Sequence, residues 1–276
     1  MPVNEQKLRL AVLQIRTETD YDQTMEKAHR MLAEAAAGGA DIAVLPEMFA
    51  CPYDRAFFKL FAARGHEETV AALAAWAREF GLILVGGSVP EREGDKLYNT
   101  AFVFDAQGRQ LARHRKVHLF DVDLPGMCFH ESHTFTPGKE VTTFETPFGT
   151  MGLAVCFDLR FPELFRAMAV RGAKMIFLPA QFNLTTGPAH WELSLRSRAV
   201  DNELFMVGAS AARSVGFSYE CWGHSTVADP LGAVIASCDE TEQILWCEPD
   251  LARIDTVRRQ LPTFLHLRRD VYEVAR

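Results

Sequence analysis

The chain has 276 residues, 48% of them hydrophobic and 24% charged, which is ample for a sizeable core in a soluble globular protein. A net charge of −7 and a pI near 5.7 supply no basic field for nucleic acid, and the cluster Arg113, Arg115 and Lys116 reads as a solvated face. No run approaches the roughly 18 apolar residues of a membrane span, and the N-terminal residues show no signal-peptide pattern. The six cysteines are irregularly spaced, unlike a disulfide framework, so a reduced cytoplasmic protein is expected.

Residues 8–15 predict a buried strand, and residues 22–37 a helix with apolar Met25, Ala28, Leu32 and Ala35, stopped by Gly38-Gly39. Residues 41–45 predict a second short strand that delivers Pro46-Glu47, followed by a loop over 48–55. An alanine-rich helix is expected over 67–80, ended by Gly81, then a strand over 82–89 and a polar turn over 90–96. Strands over 98–105 and 110–117 pair as a hairpin, the second carrying Lys116. Residues 118–138 read as a long irregular connection, of the kind that is usually functional, and its Phe120, Leu124, Phe129 and Phe135 predict that it packs down.

Residues 151–155 form an apolar strand ending on Cys156. Pro162 and Glu163 then open a helical pattern through Arg171. A cysteine at such a corner sits where helix N–H groups lower a thiol pKa, although a free cysteine is also commonly just a small buried thiol. Further on come a strand over 174–178, a loop over 181–188 and a helix over 190–202. Strands over 204–210, 224–229, 233–238 and 243–248 and a helix over 250–260 complete the pattern, before a basic, aromatic tail. The octapeptide Gly39-Ala-Asp-Ile-Ala-Val-Leu-Pro46 resembles Gly172-Ala-Lys-Met-Ile-Phe-Leu-Pro179. One copy per half predicts two similar α/β layers facing each other, with functional loops after each strand.

Metal chemistry is weakly supported: His130-Glu131-Ser132-His133 lacks a third ligand at any familiar spacing, and His114 and His118 flank a strand. No serine nucleophile elbow, P-loop or dinucleotide fingerprint is present. Cysteine with acidic and basic helpers is what remains. Glu47, Lys116 and Glu131 are each unremarkable alone, and each also reads as an ordinary surface or structural charge.

Together they match a pattern. Leu45-Pro-Glu47-Met-Phe, Arg113-His-Arg-Lys116-Val-His-Leu-Phe and Val155-Cys156-Phe-Asp-Leu-Arg160-Phe-Pro-Glu163 resemble the three signature blocks of the nitrilase superfamily of carbon–nitrogen hydrolases. Phe182-Asn-Leu-Thr-Thr-Gly-Pro-Ala-His190-Trp, Arg196-Ser-Arg-Ala-Val-Asp-Asn202 and Trp222-Gly-His-Ser-Thr226 resemble its omega-amidase branch. The resemblance implies one domain over residues 1–276, with a core over 8–260 and a tail over 261–276. It implies a four-layer α-β-β-α sandwich with two facing mixed sheets, and a homodimer or larger homo-oligomer. It also implies Glu47 as base, Lys116 as electrophilic helper, Cys156 as nucleophile and Glu131 as the lysine's second carboxylate, with no cofactor and no metal.

The implied reaction removes the terminal amide of α-ketoglutaramate or α-ketosuccinamate through a thioester, with the Phe157 N–H helping to hold the oxyanion. Arg160 is the candidate for the substrate's distal carboxylate, its alternative being a pair with Glu163. Thr186 is a candidate hydrogen-bond donor. Gln181 departs from the branch pattern, where a small residue is usual, and is expected to narrow the pocket. Amidases acting on deaminated glutathione or other aliphatic amides of the same superfamily are the nearest alternatives. A true nitrilase and a binding protein with a vestigial site are the more distant ones.

Overall fold

A computed structural model describes residues 8–124, 127–214 and 219–273. Two six-stranded sheets form its centre. The first takes β1 (Leu10–Gln14), β2 (Ile42–Val44), β3 (Ile83–Glu93), β4 (Lys96–Phe104) and β5 (Gln110–Arg115). The second takes β8 (Thr142–Thr146), β9 (Gly149–Leu153), β10 (Met175–Ala180), β11 (Phe205–Ser210), β12 (Thr226–Ala228) and β13 (Val234–Ser237). The last strand, β14 (Gln243–Cys247), returns to the first sheet and lies antiparallel to β1. Between the two sheets in sequence, β6 (Asp121–Leu124) and β7 (Met127–His130) form a separate hairpin.

The orders are β14-β1-β2-β3-β4-β5 and β8-β9-β10-β11-β12-β13. In each, three parallel strands are flanked by antiparallel neighbours. The two copies of the internal echo thus occupy equivalent places, since β2 and β10 are both third in their sheets. Two similar layers do face each other, in the mixed-sheet sandwich expected.

Strand alternation explains the layering. Leu10, Val12, Ile42 and Val44 point into the core shared with the second sheet, whereas Ala11, Leu13, Ala43 and Leu45 pack on the outer helices. Those helices are α1 (Tyr21–Ala37) and α3 (Glu67–Phe80). On the far side α4 (Pro162–Val170) and α5 (Gly187–Asn202) cover the second sheet. Gly208 on β11 lets α5 approach: a β-carbon there would stand 2.6 Å from the Trp191 ring. The burial of these apolar faces, at about 25 cal/mol per Å², is what holds the layers together.

Several segments depart from the expected pattern. The connection over 118–138 contains the β6–β7 hairpin and a 3-10 turn at Glu131–His133. The turn predicted over 90–96 is tighter, because β3 and β4 run on to Glu93 and Lys96. The loop after Glu47 gives way to α2 (Arg55–Arg64), whose Phe58 and Ala62 are buried. Helix α6 (Ala252–Gln260) precedes the tail, as the sequence predicts. Arg113 and Arg115 are not simply solvated: they pair with Glu91 and Glu93 across the hairpin edge. All six cysteines are free, and no described helix is long and apolar enough to cross a membrane.

Candidate active site

Four strand ends converge between the sheets. Glu47 follows β2, Lys116 follows β5, and Cys156 lies just past β9. The fourth contributor is the backbone after β10, at Gln181. Period-2 alternation along β5 settles why Lys116 is inside: Arg113 and Arg115 face outward, so His114 and Lys116 face inward, and both are essentially fully buried.

The Lys116 ammonium lies 2.9 Å from Glu47 Oε1 and 2.9 Å from Glu131 Oε2. Burial alone would strip its proton, but the charges of Glu131 and Glu47 outweigh it and hold the lysine well above its ordinary pKa. Asn99, on β4, spans the same two acids, its Nδ2 donating to Glu47 Oε1 at 2.8 Å and to Glu131 Oε1 at 3.0 Å. The Phe120 N–H fixes Glu131 Oε2 at 2.7 Å. Glu47 Oε2 accepts the Gln181 N–H at 3.0 Å. Burial raises the Glu47 carboxyl above its usual range, while Lys116 opposes the shift.

The thiol is held in a turn, not at the head of an α-helix. Cys156 opens a 3-10 segment, Cys156–Arg160, and α4 begins only at Pro162. The helix-terminus depression of its pKa expected from sequence is therefore not seen. Burial, and next the charge of Glu47, push the thiol well above its usual value. Cys156 adopts the left-handed conformation, φ 48°, which costs a residue with a β-carbon of order 1–3 kcal/mol. Asp158 pins that turn. Its carboxylate accepts the Val155 N–H at 3.0 Å, the His118 N–H at 2.9 Å and the rings of His114 and His118. Those bonds hold it well below the usual carboxylate range. The expectation that His114 and His118 flank a strand is corrected, since His114 lies within β5 and His118 just past it, and both meet on one buried anion.

Of the remaining candidates, Phe157 packs on Phe120 and Phe161, and no described backbone carbonyl takes its N–H. Arg160 stacks between the Phe157 and Phe182 rings, with its Nη1 3.3 Å from His190 Nδ1. Among the described residues no carboxylate pairs with it, Glu163 included, and burial lowers its pKa. Thr186 is buried but points inward to its own loop, its hydroxyl donating to Asn183 Oδ1 at 3.0 Å. Gln181 is engaged at both ends of its side chain, as Nε2 donates to the Glu47 carbonyl at 2.6 Å and Oε1 accepts the Cys221 thiol at 3.0 Å.

Asn99, Asp158 and Tyr53 escape sequence reasoning. Nothing local distinguishes an asparagine in a strand or an aspartate beside a cysteine. Tyr53 shares an aromatic cluster with Phe58, Phe129 and Tyr219, and its buried hydroxyl has no hydrogen-bond partner among the described residues. Burial, and next the charges of Glu131 and Glu47, push that hydroxyl well above its usual value.

A buried acid of raised pKa beside a protonated thiol and a lysine held in its charged form is equipped for nucleophilic attack on a carbonyl, with the base taking the thiol proton. Known proteins agree in sequence and shape. The carbon-nitrogen hydrolase family model matches residues 9–259. The omega-amidase NIT2 of Danio rerio is 44% identical over 269 residues, covering 97% of each chain. That of Homo sapiens is 44% identical over 267 residues, covering 96% of this chain and 97% of its own. Saccharomyces cerevisiae Nit3, a member of branch 10 of the nitrilase superfamily, superposes with a TM-score of 0.88 at 37% identity, covering 96% of this chain and 97% of that one. The chain belongs to the carbon–nitrogen hydrolase family, within the nitrilase superfamily.

Proposed function

We propose that this protein is an omega-amidase, hydrolysing the terminal amide of a short keto dicarboxylate monoamide such as α-ketoglutaramate or α-ketosuccinamate. The observation that carries the reading is Arg160. It is a half-buried guanidinium with no carboxylate partner among the described residues, four positions along the chain from the thiol. A substrate carboxylate would restore the missing charge in a two-pronged contact. The relatives named omega-amidase support the same reading.

In this account Cys156 Sγ attacks the amide carbon while Glu47 takes the thiol proton. The tetrahedral oxygen is held by the Lys116 ammonium and the Phe157 N–H, and losing one such donor costs about 100- to 1000-fold in rate. Glu47 returns the proton to the leaving nitrogen, so ammonia departs and a thioester remains on Cys156. Water deprotonated by Glu47 then attacks the thioester, releasing the dicarboxylate and restoring the thiol. Glu131 and Asn99 keep Lys116 charged and Glu47 aimed. Thr186 would reach the substrate only by releasing Asn183. The reading requires no cofactor, and it keeps the expectation of a homo-oligomer in a reducing cytoplasmic compartment.

Ammonia release from α-ketoglutaramate, α-ketosuccinamate and deaminated glutathione, compared as kcat/KM, tests the assignment. The keto-acid monoamides are expected to lead. Faster turnover of deaminated glutathione would replace the reading with the alternative amidase.

A further inference from the structure

The β6–β7 hairpin carries a second group of reactive side chains on its exposed face, apart from the catalytic cluster. Asp123 and Cys128 are directly opposed across the two strands. His130 lies two residues beyond Cys128 and therefore on the same face. The fold thus gives His130 partners other than His133, its neighbour in sequence. His130 Nε2 is 3.3 Å from Asp123 Oδ1 and 3.4 Å from Cys128 Sγ, and the three ligand atoms all lie within 4.8 Å of one another.

The two distances from His130 are close to edges of a tetrahedron around zinc. With Zn–S at about 2.3 Å, Zn–N at about 2.05 Å and Zn–O at about 2.1 Å, tetrahedral angles place sulfur and nitrogen about 3.6 Å apart and nitrogen and oxygen about 3.4 Å apart. Cysteine, histidine and carboxylate are also the ligand types that zinc takes. A thiolate and a carboxylate neutralise the divalent charge, and Asp121, opposite His130 on the same hairpin, adds a further anion nearby. Arg55 does not occupy the face: it is engaged with the His130 carbonyl and His133 Nδ1.

We propose that Asp123, Cys128 and His130 form a surface site for a zinc-class divalent cation, with a solvent molecule as the fourth ligand. Binding exchanges the Cys128 thiol proton, released to solvent, for a sulfur–metal bond, and no electron is transferred. The site does not depend on the amide chemistry. It is nevertheless one residue from Glu131, so occupancy would brace the hairpin that presents the lysine's second carboxylate.

The test is an equilibrium titration of the full chain with zinc ion alone, against a chromophoric chelator, repeated with cobalt. One equivalent is expected to bind, and cobalt is expected to give a thiolate-to-metal charge-transfer band. Cys128→Ser and His130→Gln, both at surface positions, should each weaken binding by at least about 100-fold, more than the loss of an outer-shell partner does. Cys128→Ser should abolish the band, whereas Cys156→Ala should leave both intact. Binding that persists undiminished in Cys128→Ser, that disappears with Cys156→Ala, or that is absent from the unaltered chain would overturn the proposal. An unchanged amide turnover in Cys128→Ser keeps this outcome separate from that of the amidase assignment.

Discussion

Gln181 grips Glu47 at two points, its backbone N–H on Oε2 at 3.0 Å and its side-chain Nε2 on the Glu47 carbonyl at 2.6 Å. The two residues stand just past β2 and β10, the strands that carry the two copies of the internal echo. The base is therefore held by a bond between the two halves of the fold. Gln181→Ala keeps the backbone contact and loses the side-chain one, worth about 1 kcal/mol net, with a further penalty for the stranded Glu47 carbonyl. We expect a lower Tm and a kcat reduced roughly tenfold, the kinetic equivalent of about 1.4 kcal/mol. Thermal unfolding and steady-state kinetics on the same sample check both.

Asn99 should matter more than its neutral side chain suggests. It donates to both Glu47 and Glu131, and hydrogen bonds to charged groups are worth about 1.5–3 kcal/mol. Asn99→Ala is expected to lower kcat by about 10- to 100-fold with little change in KM, because the substrate does not rely on it. Asn99→Asp should be worse, since a third acid beside Glu47 and Glu131 repels both. Recovery of full activity in the aspartate variant would contradict the positioning role.

Arg160→Ala separates recognition from chemistry. For a carboxylate-bearing amide KM should rise at least tenfold, the cost of about 1.4 kcal/mol of binding. Turnover of a small amide without that carboxylate should change little. Equal losses for both substrates would assign Arg160 to the fold instead.

The pH profile follows from the buried charges. Glu47 must be ionised to act as base, and burial raises its pKa. Activity is therefore present above that raised value and lost as pH falls through it, so the acid limb of kcat/KM should lie above the ordinary glutamate value of about 4.3. Lys116 is shifted upward, so its deprotonation does not end activity below the ordinary lysine range. The limb belongs to the coupled Glu47–Lys116–Cys156 cluster as a unit. Asp158 works in the opposite sense for stability. Its depressed carboxylate stabilises the fold above about pH 4 and loses that contribution as acid protonates it.

How much of this was legible in the sequence depends on how local the signal is. The apolar runs of β2, β9 and β10 and the helix α3 announce themselves through periodicity and punctuation, and the repeated Gly-Ala…Leu-Pro motif marks equivalent strands. Glu47, Lys116 and Cys156 each follow a strand but are unremarkable alone, and they stand out only through the three blocks that resemble the nitrilase superfamily. Strand β8, with exposed Glu145 between buried and half-buried neighbours, gives too little contrast. The β6–β7 hairpin was hidden because Asp121 and Asp123 alternate with Val122, which is only half-buried. Asn99 and Asp158 owe their importance to partners 32 to 52 and 40 to 44 positions away, a relationship no window of sequence contains. The thiol's raised pKa was likewise invisible, because burial is a tertiary property.

The central claim is covalent catalysis by Cys156, and trapping the intermediate tests it most directly. Enzyme mixed with α-ketoglutaramate and acid-quenched within the first turnover should gain the mass of the acyl group lost from the amide. Peptide mapping should place that mass on Cys156, and Cys156→Ala should fold normally, show no adduct and release no ammonia. An adduct on another residue, or ammonia released by the Cys156→Ala variant, would contradict the account.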